Sequence, residues 1–496
     1  MGQQRRMSEP APDQWTLVFP DDLWHQLQAH LFPGDGEEHG AVVLAGAATG
    51  RRGLRLLARE VIFAEDGVDY VPGTRGHRAL SPLFIAKVAR RAQSAGWAYL
   101  AAHCHGGTDH VAFSRTDLES HERGYPALRQ LTGRPVGGLV FARNAAAGDL
   151  WTLSGERVGL KAVTIIGDNV VTVTSRRRDG RPVRDTFDRQ ARLLGAEGQR
   201  SLEGLRVAVV GLGGAGSMAA EMLVRLGVGE LVYIDPDRID PTNISRVVGS
   251  AVIDTNPPTA RSGMAARGPR LKVEIAADHA RRSGLSTRIE IHASDVAEPG
   301  AVRALKDCDW IVLAADSQIA RHIVNAVAHA YLIPVIQVGV KVPVDAQTGT
   351  VGDIFCVARH ITPTTGCLWC NGLIDPTELQ LEATGEDGMR ARAYVGPDAP
   401  APSVITLNGV AISLGMTELL LSTVGLITRT APRSHSAGYQ RYLPGSHRYW
   451  MDEPRRDPAC IHCGRTDVSL FARGDDAVLP TRWTSPAAPS PPGVHE

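Results

Sequence analysis

The stretch RVAVVGLGGAGS at residues 206–217 decides how this chain is read. RVAVV is a short β-branched apolar run of strand length, and the glycines after it, Gly211, Gly213, Gly214 and Gly216, lead into a helix expected from about 216 to 226. Glycines at such a junction let the backbone approach phosphates, and the helix N-terminus offers N–H groups that no helical carbonyl uses. A second strand, ELVYID at 230–235, ends on Asp235, nineteen residues after Gly216, where a carboxylate can hold ribose hydroxyls. To this point a nicotinamide-dependent oxidoreductase fits as well as any other nucleotide enzyme.

Outward from there, RIEIHAS at 288–294, WIVLAAD at 310–316, a helix near 318–330 and PVIQVGV at 334–340 continue the alternation of strand and helix. That pattern predicts a doubly wound, mainly parallel, Rossmann-like sheet. Upstream, AVVLAG at 41–46, WAYLAAHCH at 97–105, VGGLVFA at 136–142 and AVTIIG at 162–167, with helices around 22–31 and 80–95, predict a smaller α/β domain. The charged SRRRDGRPVR at 175–184 reads as a linker. The expected organisation is a disordered 1–13, a first module at 14–174, the linker, a second module at 185–475 and a disordered Pro/Ser/Ala-rich tail at 476–496.

Lys+Arg and Asp+Glu are both 53 in 496 residues, so no global field draws the chain to nucleic acid or an anionic membrane. The opening MGQQRRMSEP lacks the apolar core of a signal peptide, and no stretch reads as about 18 uncharged apolar residues, so the expectation is a cytoplasmic protein without a membrane span.

The run DPDRIDPTNISR at 235–246 turns the reading away from dehydrogenases. It resembles the DxDxVxxxNxxR signature of the MoeB- and ThiF-like adenylyltransferases, relatives of ubiquitin-activating enzymes. The resemblance implies that Asp235 holds ribose, with Asp237 as a weaker partner, and that Asn243 and Arg246 reach the nucleotide. A rigid guanidinium suits phosphate. FDRQARLLGAEGQRSLEGL at 187–205 is similar to the family's lead-in, with Phe187 in place of Tyr and Asp185 in place of its first arginine. By that resemblance Arg189 enters the active site of a second copy, which implies a homodimer; as a bare residue it is an exposed helix arginine. The family's lysine is matched late, by Lys272, behind an insertion at about 250–268. Asp316, at the end of WIVLAAD, matches the aspartate that binds Mg²⁺ beside ATP, a fitting place because open α/β sheets bind ligands at strand ends.

Two CxxC pairs, Cys367/Cys370 and Cys460/Cys463, have the spacing of a structural four-cysteine Zn²⁺ site, against redox pairs or free buried thiols. No cysteine occurs between 371 and 459, where thioester-forming relatives carry one, so adenylation without an obligatory enzyme thioester is expected. Cys308 and Cys356 are the fallback nucleophiles, and both also read as small core residues. The apolar run at 401–426 resembles the family's late helix beneath the carboxylate cleft.

In the first module, HCHGGTDHVAFSRTD at 103–117 puts His103 and His105 on one side of a strand end. With Ser114, Asp117 and the upstream EEHG it resembles the JAMM (MPN-type) zinc proteases, with Gly106 in place of the usual proline and one extra residue before Ser114. The resemblance implies that His103, His105 and Asp117 hold a catalytic Zn²⁺, Glu37 acts as general base and Ser114 donates to the oxyanion. The bare alternative is a metal-free domain with histidines in turns; His110 and His121 read as surface residues.

Together these resemblances imply one enzyme that trims a ubiquitin-like or sulfur-carrier protein and adenylates its C-terminal glycine. A sulfur donor or a cysteine-bearing carrier enzyme would take the adenylate, the latter beginning a conjugation pathway. A non-catalytic binding scaffold is the contrasting reading.

Overall fold

The computed structural model describes residues 14–71, 78–175, 182–256, 268–345, 348–384, 402–427 and 438–481. The termini expected to be disordered, 1–13 and most of 476–496, and the core of the linker thus lie outside the described residues. Residues 476–481 do not: Ala477 and Leu479 pack on a buried cluster, and Arg134 bonds Asp476 at 3.0 Å. The apolar residues of that short piece explain the difference from the expected tail.

The first sheet comprises β1 (Gln14–Pro20), β2 (Gly40–Gly50), β3 (Gly53–Phe63), β4 (Ala98–Cys104), β5 (Val136–Phe141), β6 (Ala146–Trp151), β7 (Arg157–Ile166) and β8 (Val170–Val173). Because β1 pairs with both β3 and β7, the sheet closes on itself. Helix α1 (Asp21–Leu31) buries Leu23, Leu27 and Leu31, a single face at helical spacing, against one side. Helices α2 (Pro82–Ala95) and α3 (Arg115–Thr132) supply Phe84, Val88 and Tyr125 to the other.

Helix α4 (Asp188–Gly204) leads into the second sheet: β9 (Arg206–Val210), β10 (Glu230–Ile234), β11 (Arg288–His292), β12 (Trp310–Leu313), β13 (Val335–Lys341), β14 (Phe355–Ile361), β15 (Tyr439–Leu443) and β16 (Arg448–Asp452). Its order is β11-β10-β9-β12-β13-β14-β15-β16. The first five strands are parallel and the last three run antiparallel. The helices are α5 (Gly214–Arg225), α6 (Val252–Thr255), α7 (Lys272–Arg282), α8 (Pro299–Leu305), α9 (Gln318–Tyr331), α10 (Pro376–Ala383) and α11 (Ile405–Thr423). Helices α5, α7 and α11 cover one face, and α8 and α9 the other.

Helix α11 is, by length and composition, apolar enough to cross a membrane. Its buried residues, among them Ala411, Ile412, Gly415, Met416 and Leu419, pack on β13, β14 and α5. Such packing makes it a core helix of the second sheet.

The two sheets share a core, in which Val18, Ala48, Leu57 and Ile166 of the first join Ala208, Ile311 and Tyr331 of the second. The first module meets the amino-terminal edge of the parallel strands. There Arg206, 1 % exposed, pairs with Glu230 and with Glu290 at 3.0 Å, Arg51 reaches both glutamates, and Arg52 pairs with Asp309 at 2.7 Å. Removing one partner of a buried pair strands the other charge. Glu230→Ala is therefore expected to cost about 3 kcal/mol of stability in chemical denaturation, while Val252→Ala, on an exposed side chain, leaves it within about 0.5 kcal/mol.

Candidate active sites

The glycine loop occupies the carboxyl edge of the second sheet, opposite the module junction. Gly211 adopts φ 87°, and a Cβ there would meet the Ala315 backbone at 2.7 Å; one on Gly216 would lie 1.8 Å from the Gly211 carbonyl oxygen. Only glycine permits this close packing of loop, helix and strand end. Gly213 caps α5 and Gly214 begins it, leaving the helix N-terminus facing the cleft. Asp235 follows β10 and is 4 % exposed. Its carboxylate accepts the Leu212 N–H at 2.6 Å and the Asp237 N–H at 2.8 Å, which ties the loop to the strand end. Burial pushes the Asp235 carboxyl up, against Lys272 and these hydrogen bonds, which pull it down.

Lys272, distant in sequence, is brought back by chain pairing. Arg238 bridges Leu271, and the Lys272 N–H bonds the Asp237 carbonyl at 3.0 Å. Its Nζ then meets Asp237 at 2.7 Å. Part of the expected insertion, 257–267, lies outside the described residues. Asn243 closes a capping turn with Asp240, and Arg246 donates to the Thr242 carbonyl at 2.7 Å, with its Cδ 3.3 Å from where a Cβ on Gly214 would stand. Asp316 is exposed in the turn between β12 and α9. The α9 N-terminus is already capped by Ser317 and by Glu382, which accepts the Gln318 and Ile319 N–H groups at 3.0 and 2.9 Å, so Asp316 has no capping duty.

Arg189 is not brought to its own chain's loop. It is exposed near the start of α4, and the neighbouring Phe187 packs on Gly227, ahead of β10 on the amino-terminal edge. Asn408, absent from the sequence reading, belongs to this site. Buried on α11, its amide nitrogen lies 2.2 Å from a Cβ built on Gly214, and it donates to Ser403 Oγ at 3.1 Å. A lone asparagine within SVITLNGVAI is the signal that could have found it.

In the first module, His103 at the end of β4 and His105 just beyond it converge with Asp117. Their Nε2 atoms are 3.1 Å apart and lie 3.5 and 3.4 Å from the Asp117 carboxylate. The ring atoms and a carboxylate oxygen fall within 4.8 Å of one another, a separation one ion can span. His105 Nδ1 is 3.2 Å from the Ala112 carbonyl, which sets Nδ1 as the protonated nitrogen and leaves Nε2 a lone pair toward the centre. Burial raises the Asp117 carboxyl, but His103 and the Ser114 hydrogen bonds outweigh it and hold the group well below the carboxylate range. Ser114 caps α3, its Oγ accepting the Asp117 N–H at 3.2 Å, and its side chain also bonds the Asp117 carboxylate.

Two expectations change here. The carboxylate set toward His105 is Glu38, at 3.9 Å, whereas Glu37 turns to Arg78 at 3.7 Å. Glu37 ends a bend and Glu38 follows it, so spacing within EEHG alone did not resolve which side chain faces the histidines. His121 is 5 % exposed, bonded to Asp149 at 3.1 Å and stacked on Tyr125 at 4.4 Å, because α3 turns it inward.

The four cysteines converge as well. Sγ separations are 3.6 Å for Cys367–Cys370, 3.7 Å for Cys367–Cys460 and 3.6 Å for Cys370–Cys463. Four sulfurs each about 2.3 Å from a tetrahedral zinc stand about 3.8 Å apart, so the donor set fits that ion. The hydrogen bond from Cys463 holds the Cys367 thiol down at about 6. The remaining thiols are core residues. Burial pushes Cys308 up to about 12 and raises Cys356, near the start of β14. A cavity of about 970 Å³, apart from both sites, lies between the modules, bounded by Arg55, Thr164, Arg200 and Asp307.

Residues 187–410 match the ThiF family. Over 60 residues, 12 % of this chain and 24 % of the relative, the chain is 47 % identical to the tRNA threonylcarbamoyladenosine dehydratase of Bacillus subtilis (strain 168). Over 201 residues, 38 % of this chain and 54 % of the relative, it is 27 % identical to the sulfur carrier protein ThiS adenylyltransferase of the same organism. The chain spans between a quarter and just over half the length of these curated relatives. Among solved structures, E. coli MccB with ATP is similar at 19 % identity and a TM-score of 0.41, over 57 % of this chain and 75 % of that one.

Proposed function

We propose, for a chain whose residues 187–410 match the ThiF family, that it adenylates the C-terminal glycine of a ubiquitin-like or sulfur-carrier protein and that its first module trims the same protein. The observation that carries this is the convergence of the glycine loop, Asp235, Lys272, Arg246 and Asp316 on one strand edge.

The loop's N–H groups and the α5 N-terminus cradle the ATP phosphates, and Asp235 holds the ribose. Lys272 and Arg246 stabilise charge as a carboxylate oxygen attacks the α-phosphorus; the bond to the bridging oxygen breaks, and pyrophosphate leaves. Magnesium, when bound, neutralises phosphate charge, and Asp316 would hold it. Arg189, remote from its own loop, serves a second copy in a homodimer. With no cysteine at 371–459, the acyl-adenylate passes to an external sulfur donor or a carrier enzyme's cysteine.

In the first module His103, His105 and Asp117 would hold zinc, which makes bound water acidic enough to be deprotonated near neutral pH. Glu38 would accept a proton from the attacking water, and Ser114 would donate to the oxyanion of the scissile amide. Glu38→Gln is expected to lower peptide cleavage by at least about a hundredfold, with a smaller loss for Glu37→Gln. The discriminating assay is release of a C-terminal extension; equal losses would remove the distinction.

Intact-mass spectrometry of a partner ending in Gly-Gly plus a short extension, incubated with enzyme, zinc, magnesium and ATP, tests both steps. Loss of the extension followed by an AMP-mass adduct supports the reading. A partner that keeps its extension refutes trimming, and a pre-trimmed partner that never gains AMP refutes adenylation.

A further inference from the structure

Gln337, Arg359 and Tyr439 stand opposite one another on β13, β14 and β15. They alternate with residues under α11 and share the face of Val335 and Ile361, the face covered by α9. Gln337 is level with Leu313 on β12, three residues before Asp316. Because β12 ends at Leu313, the row lies level with the carboxyl edge, beside the loop that carries Asp316.

Arg359 donates from Nη1 to Gln337 Oε1 at 2.5 Å and lies 5.8 Å from the Tyr439 ring centre. Arg321, in the first turn of α9, donates to the Leu373 carbonyl at 3.1 Å, and its Nε is buried without a partner. Neither guanidinium forms an ion pair among the described residues, in contrast to Arg441, which holds Asp452 at 2.5 Å; Asp316 and Glu382 act on Arg321, and Asp452 on Arg359, only from beyond ion-pair distance. Burial first, then the charges of Arg321 and Arg441, lower Arg359 to about 10, so it is still cationic at neutral pH. Partly desolvated neighbouring cations are costly unless an anion joins them.

We propose that Arg359, with Arg321 beside it, forms a carboxylate-recognition subsite for the tail of the protein that is activated, an inference that rests on the adenylation reading. The tail reaches the α-phosphate beside Asp316 and presents either its terminal carboxylate or an acidic side chain just before its last glycines to Arg359. A bidentate guanidinium selects such a group where an uncharged residue would not.

Three fluorescein-labelled ten-residue peptides test this on the full chain with magnesium and a non-hydrolysable ATP analogue. One ends in Gly-Gly with a free carboxylate and carries glutamates at the two preceding positions; the second has glutamines there; the third ends in a carboxamide. By fluorescence polarisation, wild type is expected to bind at least one neutralised peptide about tenfold more weakly, the value of one charge-assisted contact. Arg359→Gln should bind all three alike, Arg359→Lys should keep part of the difference, and affinity for the ATP analogue should be unchanged in both. Weakening confined to the carboxamide assigns the terminal carboxylate, and weakening confined to the glutamines assigns the side chain. A wild type that treats the peptides alike, including by binding none, or an Arg359→Gln that keeps the discrimination, overturns the subsite. Discriminating binding without any pyrophosphate exchange would instead refute adenylation and leave the subsite standing.

Discussion

Asp316→Ala is expected to lower partner-dependent ATP–pyrophosphate exchange by about a hundredfold to a thousandfold, the range seen when one preorganised charge-stabilising group is removed. The side chain is exposed, the cap of α9 comes from Ser317 and Glu382, and the residue before it abuts Gly211. Its carboxylate is therefore available to the phosphates and dispensable to the fold. The melting temperature of the variant should stay within about 2 °C of wild type, as for other exposed substitutions. Full exchange in the variant would remove Asp316 from the chemistry, and a collapse in melting temperature would make it a structural residue.

Cys367→Ser, or exhaustive chelation of wild type, is expected to lower the melting temperature by roughly 10 °C or more, since a structural zinc contributes many kcal/mol to the segments it joins. The cluster links the turn after β14 to the segment at 460–463, from which Arg465 reaches Asp22 at 2.6 Å and Thr466 and Ser469 meet Arg59. Losing it should loosen the module junction as well as the C-terminal segment. Hydrogen exchange would then increase at the start of α1 and along β3. Zinc content near zero in purified protein, with an unchanged melting temperature after chelation, would contradict this role.

The strands of the parallel half were legible because buried parallel strands are apolar along their whole length, as RVAVV, ELVYI and WIVL are. The ligand loop was legible because its glycines answer a local steric demand at Gly211 and Gly216. What sequence left hidden depends on which side a residue faces or on contacts far along the chain. Glu37 and Glu38 are neighbours that part at a bend, one near Arg78 and the other near His105. His121 looked like a surface histidine until α3 turned it onto Asp149. Lys272 returns to Asp237 only through the pairing of Arg238 with Leu271. Asn408 and Arg359 come to their sites on an apolar helix and an antiparallel strand whose register no local pattern announces.

The two candidate sites also stand far apart. His103 is opposite Gly40 at one end of β2, while the Ala47 end of that strand bonds the second module, about 20 Å away at some 3.3 Å per residue. The glycine loop lies farther still, on the opposite edge of the second sheet. On the proposed function, a trimmed tail must leave the first site before it enters the second.

The central claim is that a protein's terminal carboxylate is activated by ATP here. ATP–pyrophosphate exchange measured with a ubiquitin-like or sulfur-carrier protein ending in Gly-Gly, beside the same protein with its last carboxylate converted to an amide, tests it most directly. The account predicts exchange with the free carboxylate and none with the amide. Exchange independent of the protein, or none with any such carrier when magnesium and zinc are supplied, would contradict it.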